Sequence, residues 1–363
     1  MSRADERGID PRVGMLEGEA AQQKRTTRAD APAAWEQPPS STRRGDDTTY
    51  YELPAIKEPV WIWSVPAYFY AGGAAGAAAA LGATAQVLDP HGLRSLVAGC
   101  RRIAAAGTAA GTVLLIIDLG RPARFLNMLR VFRPTSPLSL GSWTLAAIAP
   151  LSAGAFILGR AKGTIGRLGD LAGLASGVLG LPLSGYTSVL LSSTVVPVWV
   201  NIRHTLPALF VSSSLSSATS LLGLMELRDD ERTIVDRIDL LATSAELVAA
   251  YAVERDAKGV EEVGRPLKEG LSGRLWSVSS ACTVGGLILA LLPGRSRRRT
   301  LVSSLVGTVG SLSMRFAVFF AGKESARSPR ATFHSQRAGH GGIEVTGQAG
   351  VTGPGRRATD ART

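Results

Sequence analysis

Two tyrosines lie within long apolar segments, where a phenol is well placed to bind a flat ligand. Tyr186 follows Pro182 and Gly185, which free backbone groups and open space within a helix. Its hydroxyl can donate a hydrogen bond to a carbonyl such as that of a quinone, and its ring can pack on the quinone ring. Tyr68 lies one to two helical turns after Trp63, in an aromatic cluster typical of a membrane interface. We assign these three aromatic side chains to a predicted cofactor-binding site, with interfacial anchoring as the alternative.

A carboxylate ends the second apolar segment and is followed by two arginines. Asp118 is expensive to keep ionised at the end of an apolar helix unless it is paired. Arg121 and Arg124 lie within reach of a return pairing if the segment coils. A buried Asp118–Arg121 pair beside a polar cavity can accept or relay a proton, and we predict a catalytic role for both residues. The alternative is a structural ion pair that closes a loop.

A third set of polar residues forms a stripe on the sixth apolar segment. Asp236, Asp239, Thr243 and Glu246 follow one another at spacings of 3, 4 and 3, which places them on one helix face. Acids that face a bundle can form a proton path, and we include Glu246 among the predicted catalytic residues. The alternative is a helix that starts late, with a hydrated Asp236. Arg315 in the last segment needs a partner at similar depth, for which Glu246 is one candidate.

Cysteine and histidine are too scarce to hold a redox centre. The chain has 2 Cys and 4 His, and Cys100 and Cys282 are far apart. An iron–sulfur cluster needs about four thiolates. Only His204 approaches an apolar segment, so a haem with two His ligands is not expected. We therefore predict no metal site, haem or iron–sulfur cluster in this chain, and no disulfide framework.

Composition places these residues in a membrane protein. The chain has 363 residues, 45% of them hydrophobic, a mean hydropathy of +0.14 and a formal net charge of +11. Polar residues dominate 1–58 and 323–363, so the apolar residues are concentrated between them. This distribution excludes an ordinary soluble enzyme. We predict two disordered tails, 1–58 and 323–363, around a membrane domain over 59–322.

The central region predicts an all-α bundle of about eight transmembrane helices. Each apolar run has about 20 residues, the length that crosses ~30 Å of hydrocarbon, and is too long and too rich in Gly and Ala for a buried strand. Pairs of glycines four residues apart predict close helix packing. The predicted spans are 60–86, 96–118, 138–159, 171–194, 204–225, 233–253, 271–292 and 301–321.

Several stretches, in order along residues 50–330, resemble the NrfD/polysulfide reductase membrane-subunit family. The loop motif and the Gly-Tyr-Thr motif are fairly specific together, although either alone is weak. The stretches are Pro59-Val-Trp-Ile-Trp63, Tyr68-Phe-Tyr-Ala-Gly-Gly73, Asp118-Leu-Gly-Arg-Pro-Ala-Arg-Phe125, Ser136-Pro-Leu-Ser-Leu-Gly-Ser-Trp143, Gly185-Tyr-Thr-Ser-Val-Leu-Leu191, Leu206-Pro-Ala-Leu-Phe-Val-Ser-Ser-Ser214 and Ala321-Gly-Lys-Glu-Ser-Ala326.

The resemblance implies an eight-helix, quinone-reactive anchor without its own redox cofactor. Members of the family exchange electrons between membrane menaquinone or ubiquinone and a ferredoxin-like subunit with 4Fe–4S clusters, which often connects to a molybdopterin enzyme. By motif match, Tyr186 would be the quinone-binding tyrosine and Asp118 the loop acid. We therefore expect a multi-pass protein of the cell membrane, surrounded by lipid, that contributes quinone binding and proton access without the catalytic centre, and that has no nucleic-acid partner.

Two other function classes stay open at the level of sequence. The stripe of acids also favours a secondary transporter or proton channel, although the two halves of the chain show no obvious repeat of the kind common in transporters. The second alternative is a structural membrane anchor that binds no quinone.

Overall fold

The computed structural model describes residues 9–10, 15–16, 56–258, 264–292, 296–328 and 331. The chain divides into a unit over 1–51 and a unit over 52–363. In the first unit, strands β1 (Ile9–Asp10) and β2 (Met15–Leu16) pair antiparallel. Most of the two predicted disordered tails lies outside the described residues.

The second unit is helical throughout its described part. Two short helices, α3 and α6, and a 3₁₀ turn at Arg265–Leu267 accompany eight long helices. In chain order the helices are α1 (Ser64–Leu88), α2 (Arg94–Leu119), α3 (Pro122–Met128), α4 (Pro137–Leu158), α5 (Gly163–Ser192), α6 (Pro197–Asn201), α7 (Leu206–Gly223), α8 (Asp229–Lys258), α9 (Gly270–Leu291) and α10 (Arg297–Arg327).

Seven of the long helices are long and apolar enough to cross a membrane. This confirms the predicted all-α, polytopic membrane class. Each of the eight predicted spans falls on one long helix, but α8 has 30 residues and is more polar than the others because of its acids. It packs along α7 and α9. The last helix continues into the predicted C-terminal tail and ends at Arg327.

Short connections make the long helices alternate in direction, which gives the bundle two ends. We call proximal the end that holds residues 56–63, and distal the opposite end. Hydrogen bonds from Lys323 to the Trp61 carbonyl and from the Ile62 N–H to Asp118 join segments at the proximal end. The connections α2–α4, α5–α7 and α8–α9 lie at the proximal end, and α1–α2, α4–α5, α7–α8 and α9–α10 at the distal end.

Glycines allow α1 to approach its neighbours closely, as the sequence predicts. A Cβ at Gly76 would lie 2.6 Å from the Gly180 carbonyl oxygen of α5. A Cβ at Gly107 of α2 would lie 2.9 Å from the Ala71 carbonyl oxygen of α1. Such contacts matter in lipid, where apolar side chains gain little by turning away from the solvent.

Two interactions anchor the start of the chain's membrane unit at the proximal end. Trp61 stacks on the buried Trp199, with ring centroids 6.1 Å apart. Glu58 accepts hydrogen bonds from Arg327 at 2.8 and 3.2 Å and lies 3.1 Å from the Lys323 ammonium. Partial burial acts to raise the pKa of Glu58, but the hydrogen bonds from Arg327 and Lys323 outweigh it and leave the pKa below its usual value. The last turns of α10 are thereby tied to the segment before α1.

At the distal end, the buried carboxylate of Glu231 caps α2. One carboxylate oxygen accepts hydrogen bonds from the N–H groups of Ser95 (2.8 Å) and Leu96 (3.0 Å), and the other from the N–H of Arg228 (3.1 Å). A negative charge at a helix N-terminus satisfies orphan donors and complements the helix dipole. Glu231 therefore joins α8 to α2.

We expect Glu231→Ala to lower the free energy of unfolding by about 2 kcal/mol, because it leaves buried N–H groups without acceptors. Thermal unfolding in detergent measures the loss. Glu226→Ala, at an exposed position three residues before α8, is the matched control and should change stability little. Equal melting temperatures for the two variants would contradict this role for Glu231.

Candidate functional site

The structure brings together Tyr68 and Tyr186, the two tyrosines that the sequence predicts as ligand-binding residues. Their hydroxyl groups form a short hydrogen bond across 118 positions of sequence. The rings meet edge to face, with centroids 6.4 Å apart. Tyr68 lies in the second turn of α1 and is 2% exposed, whereas Tyr186 lies nearer the proximal than the distal end of α5 and is half-buried. We call this arrangement the tyrosine pair.

Glycines from three helices form the walls around the tyrosine pair. Gly111 of α2 and Gly72 of α1 face Tyr68, where a Cβ would lie 3.2 and 3.4 Å from the ring, respectively. A Cβ at Gly141 of α4 would overlap the ring of Tyr186. The position of Tyr186 therefore depends on the absence of a side chain on the neighbouring helix.

The two hydrogen-bonded hydroxyl groups of the tyrosine pair have one proton left to donate to an acceptor on a ligand. When one hydroxyl donates to the other, the second hydroxyl keeps its own proton and can donate it to a carbonyl oxygen. The tyrosine pair can therefore present one oriented hydrogen-bond donor at the depth of the second turn of α1.

The predicted Asp118–Arg121 pair does not form between these two described residues. Asp118 accepts a hydrogen bond from the N–H of Ile62 at 3.2 Å, just before α1. Gly120 ends α2 in the left-handed conformation, with φ of 69°, and Arg121 follows with extended backbone and an exposed side chain. Arg124 donates to the Leu119 carbonyl oxygen at 3.0 Å. The turn at Gly120 therefore directs both arginines away from Asp118.

The other residues of the predicted site are separated from the tyrosine pair. Trp63 is 58% exposed beside the first turn of α1, a placement typical of an interfacial tryptophan. Asp118 lies seven residues beyond Gly111, about 10 Å along the helix axis. The structure thus unites two of the six predicted site residues and places Trp63 and Asp118 nearer the proximal end.

Glu246 and Arg315 occupy the middle of the bundle. Glu246 is 3% exposed and Arg315 is 1% exposed. The two charges interact, although they form no direct ion pair between these described side chains. One guanidinium nitrogen of Arg315 donates to the Phe210 carbonyl oxygen and to the Ser214 hydroxyl, both at 2.9 Å, and the guanidinium lies 3.9 Å from the Phe210 ring centroid. Arg315 therefore joins α10 to α7 beside the Glu246 carboxylate of α8.

Sequence reasoning missed the residues that hold these groups in place. Gly141 lies within one of the family-like stretches, but its role depends on a ring from another helix. Ser214 lies in a run of serines whose members look alike in sequence. Arg101 of α2 donates to Asp170 at 2.7 Å and to Gln86 at 2.9 Å near the distal end. No local signal identifies these partners.

Within the residues that the structure describes, no three or more His, Cys, Asp or Glu side chains are grouped to hold a metal ion. A cavity of about 730 Å³ lies at the proximal end between the 3₁₀ turn, α9 and α10, and one of about 310 Å³ lies at the distal end. The tyrosine pair borders neither of these two cavities, and its half-buried member lies towards the surface of the bundle.

The comparison with protein families identifies the chain. The family model for polysulphide reductase, NrfD, matches residues 53–325, which include all eight long helices except the last two residues of α10. No curated protein matches the chain. The match covers most of the chain and agrees with the helices that can cross a membrane. The chain is therefore an integral membrane protein that belongs to the polysulphide reductase NrfD family.

Proposed function

We propose that this chain is the quinone-reactive membrane subunit of an oxidoreductase complex, with menaquinone or ubiquinone as its cofactor. The quinone binds at the tyrosine pair, and electrons pass between it and a ferredoxin-like partner subunit with 4Fe–4S clusters, which connects to a molybdopterin enzyme. The partners follow from the family, whereas the binding site is proposed from this chain's own residues. In this proposal the cell membrane is the site of action.

The single observation that supports the binding site is the hydrogen bond between the hydroxyl groups of Tyr68 and Tyr186. A quinone carbonyl needs an oriented donor within an apolar environment, and the tyrosine pair supplies one. Exposed apolar side chains lie near the tyrosine pair on α4 and α5. Val189 of α5 follows Tyr186 by three residues, and Leu138 of α4 precedes Gly141 by three residues. This surface is compatible with a ligand that arrives from the lipid.

The chain's own residues bind and orient the quinone, while the redox chemistry belongs to the quinone when it is bound. The tyrosine hydroxyl stabilises negative charge that develops on the carbonyl oxygen during reduction. A phenol stays almost fully protonated near neutral pH because its ordinary pKa is about 10. We therefore assign hydrogen bonding to the tyrosine pair and proton supply to other residues.

Tyr186→Phe tests the proposal, because it removes the hydroxyl and keeps the ring. We expect about tenfold weaker binding of a short-chain naphthoquinone to the purified full chain, the loss of one hydrogen bond to a buried group. Quinol turnover by the complex should fall by a similar factor. Titration of the detergent-solubilised protein measures the affinity, and membranes from the expressing cells report the turnover.

The matched control is Tyr251→Phe on α8, because Tyr251 is 67% exposed and far along the chain from the tyrosine pair. It should bind the naphthoquinone as the unchanged protein does. If the unchanged protein shows no saturable binding of the naphthoquinone, the proposed quinone site is rejected and a structural anchor is favoured. Equal affinities for the unchanged protein and Tyr186→Phe would remove Tyr186 from the site.

A further inference from the structure

A polar cleft leads into the bundle from the distal end. It encloses about 310 Å³ between α7, α8, α9 and α10. Its walls include two carboxylates and the Arg237 guanidinium from α8, the Arg299 guanidinium from α10, and hydroxyl groups from α7 and α10. The polar wall residues include Asp236, Asp239, Thr219, Ser220, Ser303 and Ser304.

Paired polar side chains continue from the floor of this cleft along the α7–α8 contact. Thr219 donates to the Asp239 carboxylate at 2.6 Å. One helical turn deeper, the hydroxyl groups of Ser216 and Thr243 are 3.4 Å apart. Thr219, Ser216 and Thr243 are all buried. These two pairs occupy successive turns of both helices, separated by about 5 Å along the axis.

The third pair brings the stripe to the middle of the bundle. Glu246 lies beside the hydroxyl group of Ser213, which is fully buried. Arg315 approaches the same point from α10, and two of its guanidinium nitrogens are buried and unsatisfied. A buried carboxylate, a hydroxyl and a guanidinium with spare donors provide sites at which a proton or a water can be held.

The far side of this cluster faces the helix that carries Tyr186. Ser214, which accepts a hydrogen bond from Arg315, donates to the Ser184 carbonyl oxygen of α5 at 2.8 Å. Ser184 precedes Tyr186 by two residues. The polar residues therefore extend from the distal surface to the vicinity of the tyrosine pair, which lies nearer the proximal end.

We infer that this chain carries a proton route from the distal end to the middle of the membrane, along Asp239, Thr243 and Glu246, for the quinone reaction. The inference rests on the proposed function. Reduction of one quinone takes two electrons, supplied by the iron–sulfur partner, and two protons, one for each carbonyl oxygen. Glu246 passes protons towards the quinone and is reprotonated through Asp239; in quinol oxidation the same protons leave by this route.

Glu246 and Arg315 have different roles in the proton route. The Glu246 carboxylate can alternate between protonated and ionised forms, whereas the arginine guanidinium stays charged in proteins. Arg315 is therefore a positioning residue that stabilises the ionised form of Glu246. Because the route opens at the distal end, the reaction takes its protons from that side of the membrane.

The test uses the complex purified with its native partner subunits and reconstituted into liposomes. We expect Asp239→Asn and Glu246→Gln each to slow quinone turnover on the order of tenfold or more and to raise the solvent deuterium isotope effect, because proton delivery becomes limiting. Affinity for the short-chain naphthoquinone should not change, which shows that the fold and the binding site are intact. Asp239→Glu should restore most of the turnover.

Asp230→Asn is the matched control, because Asp230 is exposed in the first turn of the same helix and pairs with Arg228 at 3.1 Å. A pH-sensitive dye trapped in the liposomes reports the side from which protons are taken. Unchanged turnover and isotope effect in Asp239→Asn and Glu246→Gln, or proton uptake from the proximal side, would overturn the route while quinone binding stands. Failure of the unchanged complex to bind quinone would overturn the proposed function and the route with it.

Discussion

Replacing Arg315 with methionine is expected to lower the free energy of unfolding by about 3 kcal/mol, a typical cost of leaving a buried carboxylate without a nearby positive charge and buried acceptors without their donor. The guanidinium is almost fully buried, lies over the Phe210 ring and donates to the Phe210 carbonyl oxygen and the Ser214 hydroxyl. Methionine has a similar length and fills much of the space, so the loss reports the missing charge and donors. Thermal unfolding in detergent measures it.

The size of the loss depends on Glu246. With Arg315 absent, the buried Glu246 carboxylate has lost the positive charge that acts on it. We expect the double variant Arg315→Met/Glu246→Gln to recover about 1 kcal/mol or more of the lost stability, since the two changes are coupled. Arg274→Met, at an exposed position of α9, is the control for removing an arginine and should change stability by less than about 0.5 kcal/mol. Additive single and double variants would show that the two charges are independent.

The sequence predicts the helices well because a long apolar segment in lipid has few possible backbone structures. Backbone N–H and C=O groups in hydrocarbon must be satisfied within the segment, so such a run becomes a helix. The boundaries were less predictable. α5 begins at Gly163, earlier than the predicted start at 171, and α10 runs to Arg327. In both cases the extension is polar, and hydrophobic length alone does not show where a helix ends outside the hydrocarbon.

The sequence predicts which residues belong to the candidate site, but it does not predict which of them are in contact. The depth of Tyr68 and Tyr186 in apolar segments predicts each of them as a ligand-binding residue, but their hydrogen bond depends on how α1 packs on α5. Asp118 and Arg121 illustrate the converse. Closeness in sequence suggested a pair, and the left-handed turn at Gly120 separates them and leaves Asp118 to accept from Ile62.

The stripe of polar residues on α8 shows that helical spacing predicts which residues share a face better than closeness in sequence predicts which residues pair. Spacings of 3, 4 and 3 fix residues on one face of a helix whatever the tertiary structure, so the shared face of Asp239, Thr243 and Glu246 was predictable. Which helix meets that face was not. That face meets Thr219, Ser216 and Ser213 of α7, which follow one another at spacings of three residues in a serine-rich segment and so share one helix face. Two matching periodicities in separate segments are a signal that sequence reasoning can use.

Gly141→Ala is expected to have a large effect on function with little effect on the fold. A methyl group at Gly141 would overlap the Tyr186 ring, so the ring has to shift away from α4 and the hydrogen bond to Tyr68 is strained or lost. Misplacement of a binding group by about 1 Å can cost about 100-fold in rate. We therefore expect quinol turnover by the complex to fall by about tenfold or more, at least the loss expected for Tyr186→Phe.

The stability of Gly141→Ala shows whether a loss of turnover comes from displacement of Tyr186 or from damage to α4. Alanine favours a helix over glycine by up to about 1 kcal/mol, so Gly141→Ala alone would strengthen α4. Gly154→Ala is the matched control on the same helix, because its nearest neighbour, the Ala172 Cβ, would lie 3.8 Å away in ordinary contact. It should keep full turnover. If Gly141→Ala retains turnover and melts as the unchanged protein does, the position of Tyr186 against α4 does not matter for quinone chemistry, and the proposed binding site would have to lie elsewhere.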